Sequence, residues 1–219
     1  MQKASPSGRQ AKKRRLSPEA IVGAAIRLAD AEGLEAVSIR RVAAELDARA
    51  MSLYDHFASK RDLLAAMADE VVGEMLVSQP LSEAWREAVA VSARTMYAAY
   101  ARHPWAIFVT AERPPPGPNG IKIAKQVARA LANLPLEHSD VWQVQGIVND
   151  YVIGYSLRTV GGPNPEDMET AISASDVVDS PELAALPDNL RTRSSIERFE
   201  LGLQTVLDGI ERRFLGQPG

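Results

Sequence analysis

Hydrophobic positions fall at helical spacing along most of the chain. Ile21, Ala24, Ala25, Leu28 and Ala29 recur at steps of three and four, so they form the buried stripe of a first helix. Ser17 precedes this helix as an N-cap, Pro18 suits its first turn, and Gly33 marks its end. Ile39, Val42, Ala43 and Leu46 line one face of a second, short helix capped by Ser38. Asp47 and Ala48 interrupt it. A third helix is predicted over Arg49 to Phe57, with Leu53 and Phe57 one turn apart on its buried side. Ser59-x-x-Asp62 forms a capping box for a fourth helix that carries Leu63, Leu64, Met67 and Val71.

Gln79-Pro80 marks a domain boundary, and a long amphipathic helix then starts at Ser82 with Trp85, Val89, Ala93, Met96 and Tyr100 on one side. His103-Pro104 breaks it, because a residue before proline avoids the helical region. Trp105 to Ala111 reads as a short apolar helix, Arg113 to Gly120 (RPPPGPNG) as a rigid loop, and Ile121 to Leu134 as helix again. Ser139 or Asp140 caps a helix to about Val160, which Gly161-Gly162-Pro163 stops. Within it Gly146, Asp150 and Gly154 fall four apart, a spacing of small residues that lets helices approach closely. Asn164 to Ser194 is acidic and proline-interrupted, a mobile loop by composition. The last helix carries Ile196, Phe199, Leu203, Val206 and Ile210 in a heptad stripe, for which periodicity alone favours an ordinary core face. The expected fold is all-α: a basic arm over residues 1–15, a small helical domain with its linker helix over 16–77, and a larger helical domain over 78–219.

Two short helices across a tight turn form a helix-turn-helix, whose second member lies in the DNA major groove. Its exposed face would carry Arg49, Ala50, Ser52, Tyr54 and His56, which can reach phosphates, base edges or a thymine methyl. On periodicity alone, a helical hairpin with no nucleic-acid role is the commoner alternative. The wording of the stretch changes that. Leu53-Tyr54-x-His56-Phe57-x-Ser59-Lys60-x-x-Leu63-Leu64 closely resembles the DNA-binding domain of the tetracycline-repressor (TetR) family of bacterial transcription regulators, over roughly Leu16 to Val72. One departure is Asp47, where the family usually has Gly; Asp tolerates a left-handed backbone better than most residues. The resemblance implies that Tyr54, His56 and Lys60 position the phosphate backbone, leaving Arg40, Arg49 and Ser52 as the base-reading candidates. The segment ERFELGLQTVLDGIERRF resembles the last helix of the same family's C-terminal domains. That implies a homodimer in which this helix and Asp140–Val160 build a four-helix interface, with Gly146, Gly154, Phe199, Leu203, Val206 and Ile210 as candidate contacts.

Charge sharpens this division. The chain has a net charge of -3, but residues 1–65 hold 12 Lys and Arg against 8 Asp and Glu, while residues 66–219 hold 13 against 20. A basic reading head on an acidic body fits a polyanionic partner for the head alone. The arm contributes Lys12, Lys13, Arg14 and Arg15 directly before the first helix, where they can follow phosphates or remain a solvated tail. No apolar run approaches the roughly eighteen residues that span a bilayer, and no apolar segment follows the basic N-terminus, so a cytoplasmic protein is expected. Cysteine is absent. His56, His103 and His138 lie far apart without metal-ligand spacing, and there is no phosphate loop, dinucleotide fingerprint or nucleophile elbow, so neither catalysis, a metal nor a cofactor is expected.

A small-molecule effector pocket is the better candidate site. Trp85, Met96, Tyr100, His103, Trp105, Phe108, Trp142, Asn149, Tyr151 and Tyr155 could converge between helices of the body, although each alone is more often core than ligand contact. Relatives that take tetracycline as a magnesium chelate use a histidine in the segment where Thr110 stands here, which argues against that ligand. The expected function is a ligand-responsive repressor of a palindromic operator. Its rivals are a ligand-independent DNA-binding dimer and a small-molecule-binding protein that has lost DNA binding.

Overall fold

The computed structural model describes residues 16–78, 81–82, 84–112, 116–132, 134–161, 170 and 194–216. The arm, Gln79-Pro80 and, Thr170 and Ser194 apart, the Asn164–Ser194 stretch lie outside the described residues. The fold is all-α. It divides into two compact units, Met1–Leu63 and Leu64–Gly219.

In the first unit α1 runs over Pro18–Glu32, a 3₁₀ turn over Leu34–Ala36, α2 over Ile39–Glu45 and α3 over Ala50–Tyr54. The starts are set by short side chains that satisfy orphan amides. The Ser17 hydroxyl accepts from Ala20 N at 3.2 Å, and the Ser38 hydroxyl from Arg41 N at 3.3 Å. Gly33 leaves α1 at φ 85°, and Asp47 takes φ 50° in the turn between α2 and α3, as its tolerance of that region allows. Ile21, Ala25, Val37, Val42 and Leu53 close the core. The third helix is shorter than Arg49–Phe57: Arg49 is its extended N-cap residue, and His56 and Phe57 follow it with their amides on the Leu53 carbonyl.

Helix α4, Lys60–Glu74, is continuous through the division at Leu63. The boundary expected at Gln79-Pro80 lies outside the described residues, and most of α4 is bound into the second unit. Asp69 bonds to a later helix and Met75 is buried in a wall of that unit. The second unit continues with α5 (Trp85–Arg102), α6 (Pro104–Ala111), α7 (Pro118–Leu131), α8 (His138–Gly161) and α9 (Ser195–Ile210), which ends in a π turn over Glu211–Leu215. Helices α5 and α8 contact each other, and each also contacts α6, α7 and α9. Among the described residues no helix is long and apolar enough to cross a membrane.

Helix α7 starts three residues before Ile121, with Pro118 in its first turn and a cap that sequence proximity could not reveal. The Asp69 carboxylate accepts from Asn119 N at 3.1 Å and from Gly120 N at 3.1 Å, while Asn119 Nδ2 donates to the Asp69 carbonyl at 3.0 Å. The contact needs glycine on both sides. A Cβ on Gly117 would collide with the Asp69 carboxyl, and one on Gly73 would come within 2.7 Å of Asn119 Nδ2.

Helix α9 is opened by a capping box between Ser194 and Glu197. Three of the interface candidates, Phe199, Leu203 and Ile210, are taken up inside one chain. Phe199 and Leu203 are fully buried, Ile210 nearly so, and Val206 is half-buried, all within one chain. Phe199, Leu203 and Ile210 belong to the chain's own core, with α5 and α8 against α9, whereas Ile196 at the start of the stripe is exposed. Phe199 stacks on Tyr97 at 4.4 Å, and Tyr151 Oη donates to the Phe199 carbonyl at 2.7 Å, passing over Gly202 where a Cβ would collide. Ion pairs tie α9 to α5: Arg86 meets Asp208 and Glu211, and Arg94 grips Glu200 through Nε at 2.7 Å and Nη2 at 3.0 Å. The apolar side chains left exposed on α8 and α9 are Trp142, Ile147, Leu157, Ile196 and Leu201.

Candidate nucleic-acid interface and ligand cavity

The surface of the first unit is set by α2 and the short α3. Burying Leu53 and Phe57 turns the other side of α3 outward. Arg49, Tyr54, His56 and Lys60 are exposed, and Ala50 and Ser52 are half-buried. Arg40 is exposed on α2. Its neighbour Arg41 is committed elsewhere, donating from Nη2 to both carboxylate oxygens of Glu32 at 2.7 and 2.9 Å. No ion pair engages Arg40, Arg49 or Lys60 among the described residues, so their charge is available to phosphates or base edges. Lys60 opens α4 next to the Ser59 cap, whose hydroxyl accepts from Asp62 N at 3.2 Å. Sequence reasoning missed Met51. It is 73 % exposed in the middle of α3, the most exposed large apolar side chain of the described residues, and its signal was an apolar residue off the buried stripe. Lys12, Lys13, Arg14 and Arg15 lie outside the described residues.

Two adjoining cavities lie among the described residues of the second unit. The larger, about 290 Å³, is lined by Ala65, Ala68, Asp69, Val72 and Met75 of α4, with Tyr100, Thr110, Gly117 and Ile153 among the rest. The smaller, about 50 Å³, lies among α5, α7 and α8 and is lined by Val89, Ala93, Val127, Leu131 and Val148 with others. Met75, Met96, Ile123, Gln145 and Asn149 belong to both walls. Most lining atoms are aliphatic because alanines on α5 and α7 face inward where larger residues would fill the space.

Of the pocket candidates named from sequence, Met96, Tyr100 and Asn149 line these cavities. Tyr100 is buried, its hydroxyl paired with Thr110 Oγ1 at 2.9 Å, and burial raises its pKa against that hydrogen bond. The others are elsewhere. Trp105 is buried, and His103 is buried with Nε2 3.3 Å from Glu74 Oε1 and its ring edge-on to Trp105. Trp85 is half-buried outside both linings, and Phe108 and Trp142 are more than half exposed. Tyr151 and Tyr155 turn to Phe199 instead of the cavity. Burial and the neighbouring Tyr155 push the Tyr151 hydroxyl up to about 12, so it remains a donor to the Phe199 carbonyl. Gln126, which sequence reasoning did not single out, clasps the chain after α4: its Nε2 donates to the Val77 carbonyl at 2.8 Å and its Oε1 accepts from Val77 N at 3.3 Å.

Residues 21–67 match the family described as bacterial regulatory proteins, tetR family, and residues 79–214 match the tetracyclin repressor-like C-terminal domain. The chain is 32 % identical over 210 residues to the HTH-type transcriptional repressor DrrR1 of Streptomyces coeruleorubidus, covering 90 % of this chain and 77 % of that one. Its backbone matches the Streptomyces coelicolor TetR family protein ActR in complex with actinorhodin, with a TM-score of 0.76 and 27 % identity over 90 % of this chain and 97 % of that one. It also matches BioQ bound to its double-stranded DNA operator, with a TM-score of 0.64 and 25 % identity over 90 % and 98 % of the two chains.

Proposed function

Because the chain belongs to the tetracycline-repressor family of DNA-binding transcriptional regulators, we propose that it is a homodimeric repressor released from a pseudo-palindromic operator by a small molecule entering the α4–α8 cavity. One observation carries the reading. A single uninterrupted helix, α4, begins with the exposed Lys60 and continues into the wall of the larger cavity through Ala65, Ala68, Asp69, Val72 and Met75. A ligand that packs better against one position of α4 than another biases where its N-terminal turn, and the α3 before it, are held. Two reading heads must meet two half-sites about one helical turn apart, so a small change in their separation loses one of them. ActR bound to actinorhodin and BioQ bound to operator DNA support the two halves of this scheme.

The dimer contact is assigned to the outer faces of α8 and α9. Trp142, Ile147, Leu157 and Leu201 are exposed there, and a Cβ at Gly146 or Gly154 would meet nothing within 4 Å of its own chain. A knob-like partner surface could lie close to the α8 backbone at those glycines. Within the head, Arg40, Arg49 and Ser52 are assigned to base edges, and Tyr54, His56, Lys60 and Lys12–Arg15 to phosphates.

The test is selection from a randomised duplex pool, followed by sedimentation of the protein with the enriched DNA. The expected result is a two-fold symmetric site bound by two chains. Recovery of no site, or of an asymmetric site bound by one chain, overturns the proposal. Thermal shift against a metabolite collection tests the ligand half: a compound that binds only the folded state raises the melting temperature. A response to none, with operator binding intact, would favour the ligand-independent dimer.

A further inference from the structure

Of the polar side chains that line the two cavities, all but Gln145 and Asn149 are already committed among the described residues. Asp69 is taken by the Asn119 and Gly120 amides, Gln126 by the Val77 backbone, Tyr100 and Thr110 by each other, and the Ser92 hydroxyl by the Ala88 carbonyl. Gln145 Oε1 is buried without any hydrogen-bond partner, and Gln145 lines both cavities. A buried acceptor left empty is destabilising, and folded proteins rarely keep one without a use for it. Asn149 stands one helical turn further along α8 on the same wall. Neither lining contains Lys or Arg, so a buried anion would have no counter-charge.

We propose that the effector is an uncharged, largely apolar molecule that donates a hydrogen bond to the Gln145 side-chain carbonyl, making Gln145 the residue that selects among effectors. This inference rests on the effector-site reading above. The surrounding aliphatic wall supplies contact area, and the buried unmatched acceptor of Gln145 supplies the discrimination, since an apolar ligand of the same shape leaves that acceptor unpaired.

Three probes share one ring system: 1-naphthol has a neutral donor, naphthalene has none, and 1-naphthoate is an anion. Their affinities for the full chain are measured by calorimetry, beside the variant Gln145→Leu, which keeps the bulk and removes the acceptor. In the natural protein 1-naphthol should bind tightest and 1-naphthoate weakest. Gln145→Leu should weaken 1-naphthol by about 3- to 10-fold and leave naphthalene equal or tighter. It should also raise the melting temperature of the ligand-free protein by about 2–6 °C, because the orphan acceptor is gone; a residue with only a structural role would lower it. Naphthoate binding as tightly as naphthol, or a naphthol preference that survives Gln145→Leu, overturns the assignment of Gln145 while leaving the cavity a binding site. If none of the three binds, the effector-site reading falls and this inference with it. The comparison of three probes on the unaltered chain decides the charge and donor preference even if the variant fails to fold.

Discussion

Leu201 and Leu203 are two residues apart on α9 and should respond to mutation in opposite ways. Leu203 is fully buried within one chain, under α5 and α8, whereas Leu201 is 55 % exposed on the face assigned to the partner. Truncating a buried leucine removes its transfer free energy and leaves a cavity, together about 2–5 kcal/mol. For a chain of this length that lowers the melting temperature by roughly 5–15 °C. Leu203→Ala should therefore melt early yet still sediment as a dimer. Leu201→Glu places a charge on a surface that is open in the single chain, where its cost stays within about 0.5 kcal/mol. In a dimer the same charge is buried without a partner, at about 3–5 kcal/mol for each uncompensated site. This variant should sediment as a monomer at micromolar concentration, keep its helical circular dichroism, and melt at a temperature independent of concentration. Sedimentation velocity and thermal melts over a concentration series read both effects. A Leu203→Ala protein as stable as the natural one would refute the intrachain reading of the heptad stripe, and a Leu201→Glu protein that remains dimeric would refute the assigned interface.

Asp69→Ala removes the cap of α7 and should cost about 2–3 kcal/mol, with Asp69→Asn losing less because one acceptor oxygen survives; hydrogen exchange at Asn119 and Gly120 reports it, and unchanged protection there would show the cap to be unimportant. The Arg94 guanidinium beside Glu200 holds that carboxyl below its ordinary 4.5. Its stabilisation is therefore complete above pH 4.5 and is lost as the pH falls through the lower folded value. Glu200→Gln should cost about 1 kcal/mol near neutrality, solvent screening included. In urea titrations the gap from the natural protein should narrow in acid; a gap that widened in acid would reverse the sign. Deleting residues 1–15 should flatten the dependence of log K on log salt by about 2–3 units per subunit if three of the four clustered cations neutralise phosphates, and identical slopes would make the arm a solvated tail.

What was legible in the sequence is what local chemistry decides. Ser17, Gly33, Ser38, Asp47 and Ser59 act within four residues of themselves, so the head could be read almost residue by residue. Periodicity identified the Phe199–Leu203–Ile210 face as buried but could not say by what, and the covering helices belong to the same chain. The α7 start was misplaced because its cap is Asp69, some fifty residues earlier. The cavity was sought through aromatic side chains, but aromatic rings fill space. Tyr151 and Tyr155 went to Phe199, and the open volume lies where alanine, valine and methionine leave it. Gln145 and Asp69 carry no sequence signal of their own; only the fold shows one acceptor empty and the other saturated.

The Asp69 cap also has a mechanical meaning. A slide of α4 along its axis by one residue's rise, about 1.5 Å, exceeds what two amide hydrogen bonds of 3.1 Å can absorb. Either both bonds break and strand the first amides of α7, or α7 travels with α4 as one rod-and-crank pair. A side chain at Gly117 would run into the Asp69 carboxyl and one at Gly73 into the Asn119 amide, so a larger residue at either position would disturb the cap. In the second case Ile123, Val127 and Leu131 move too, so the volume of the cavity and the axial position of α4 cease to be independent variables.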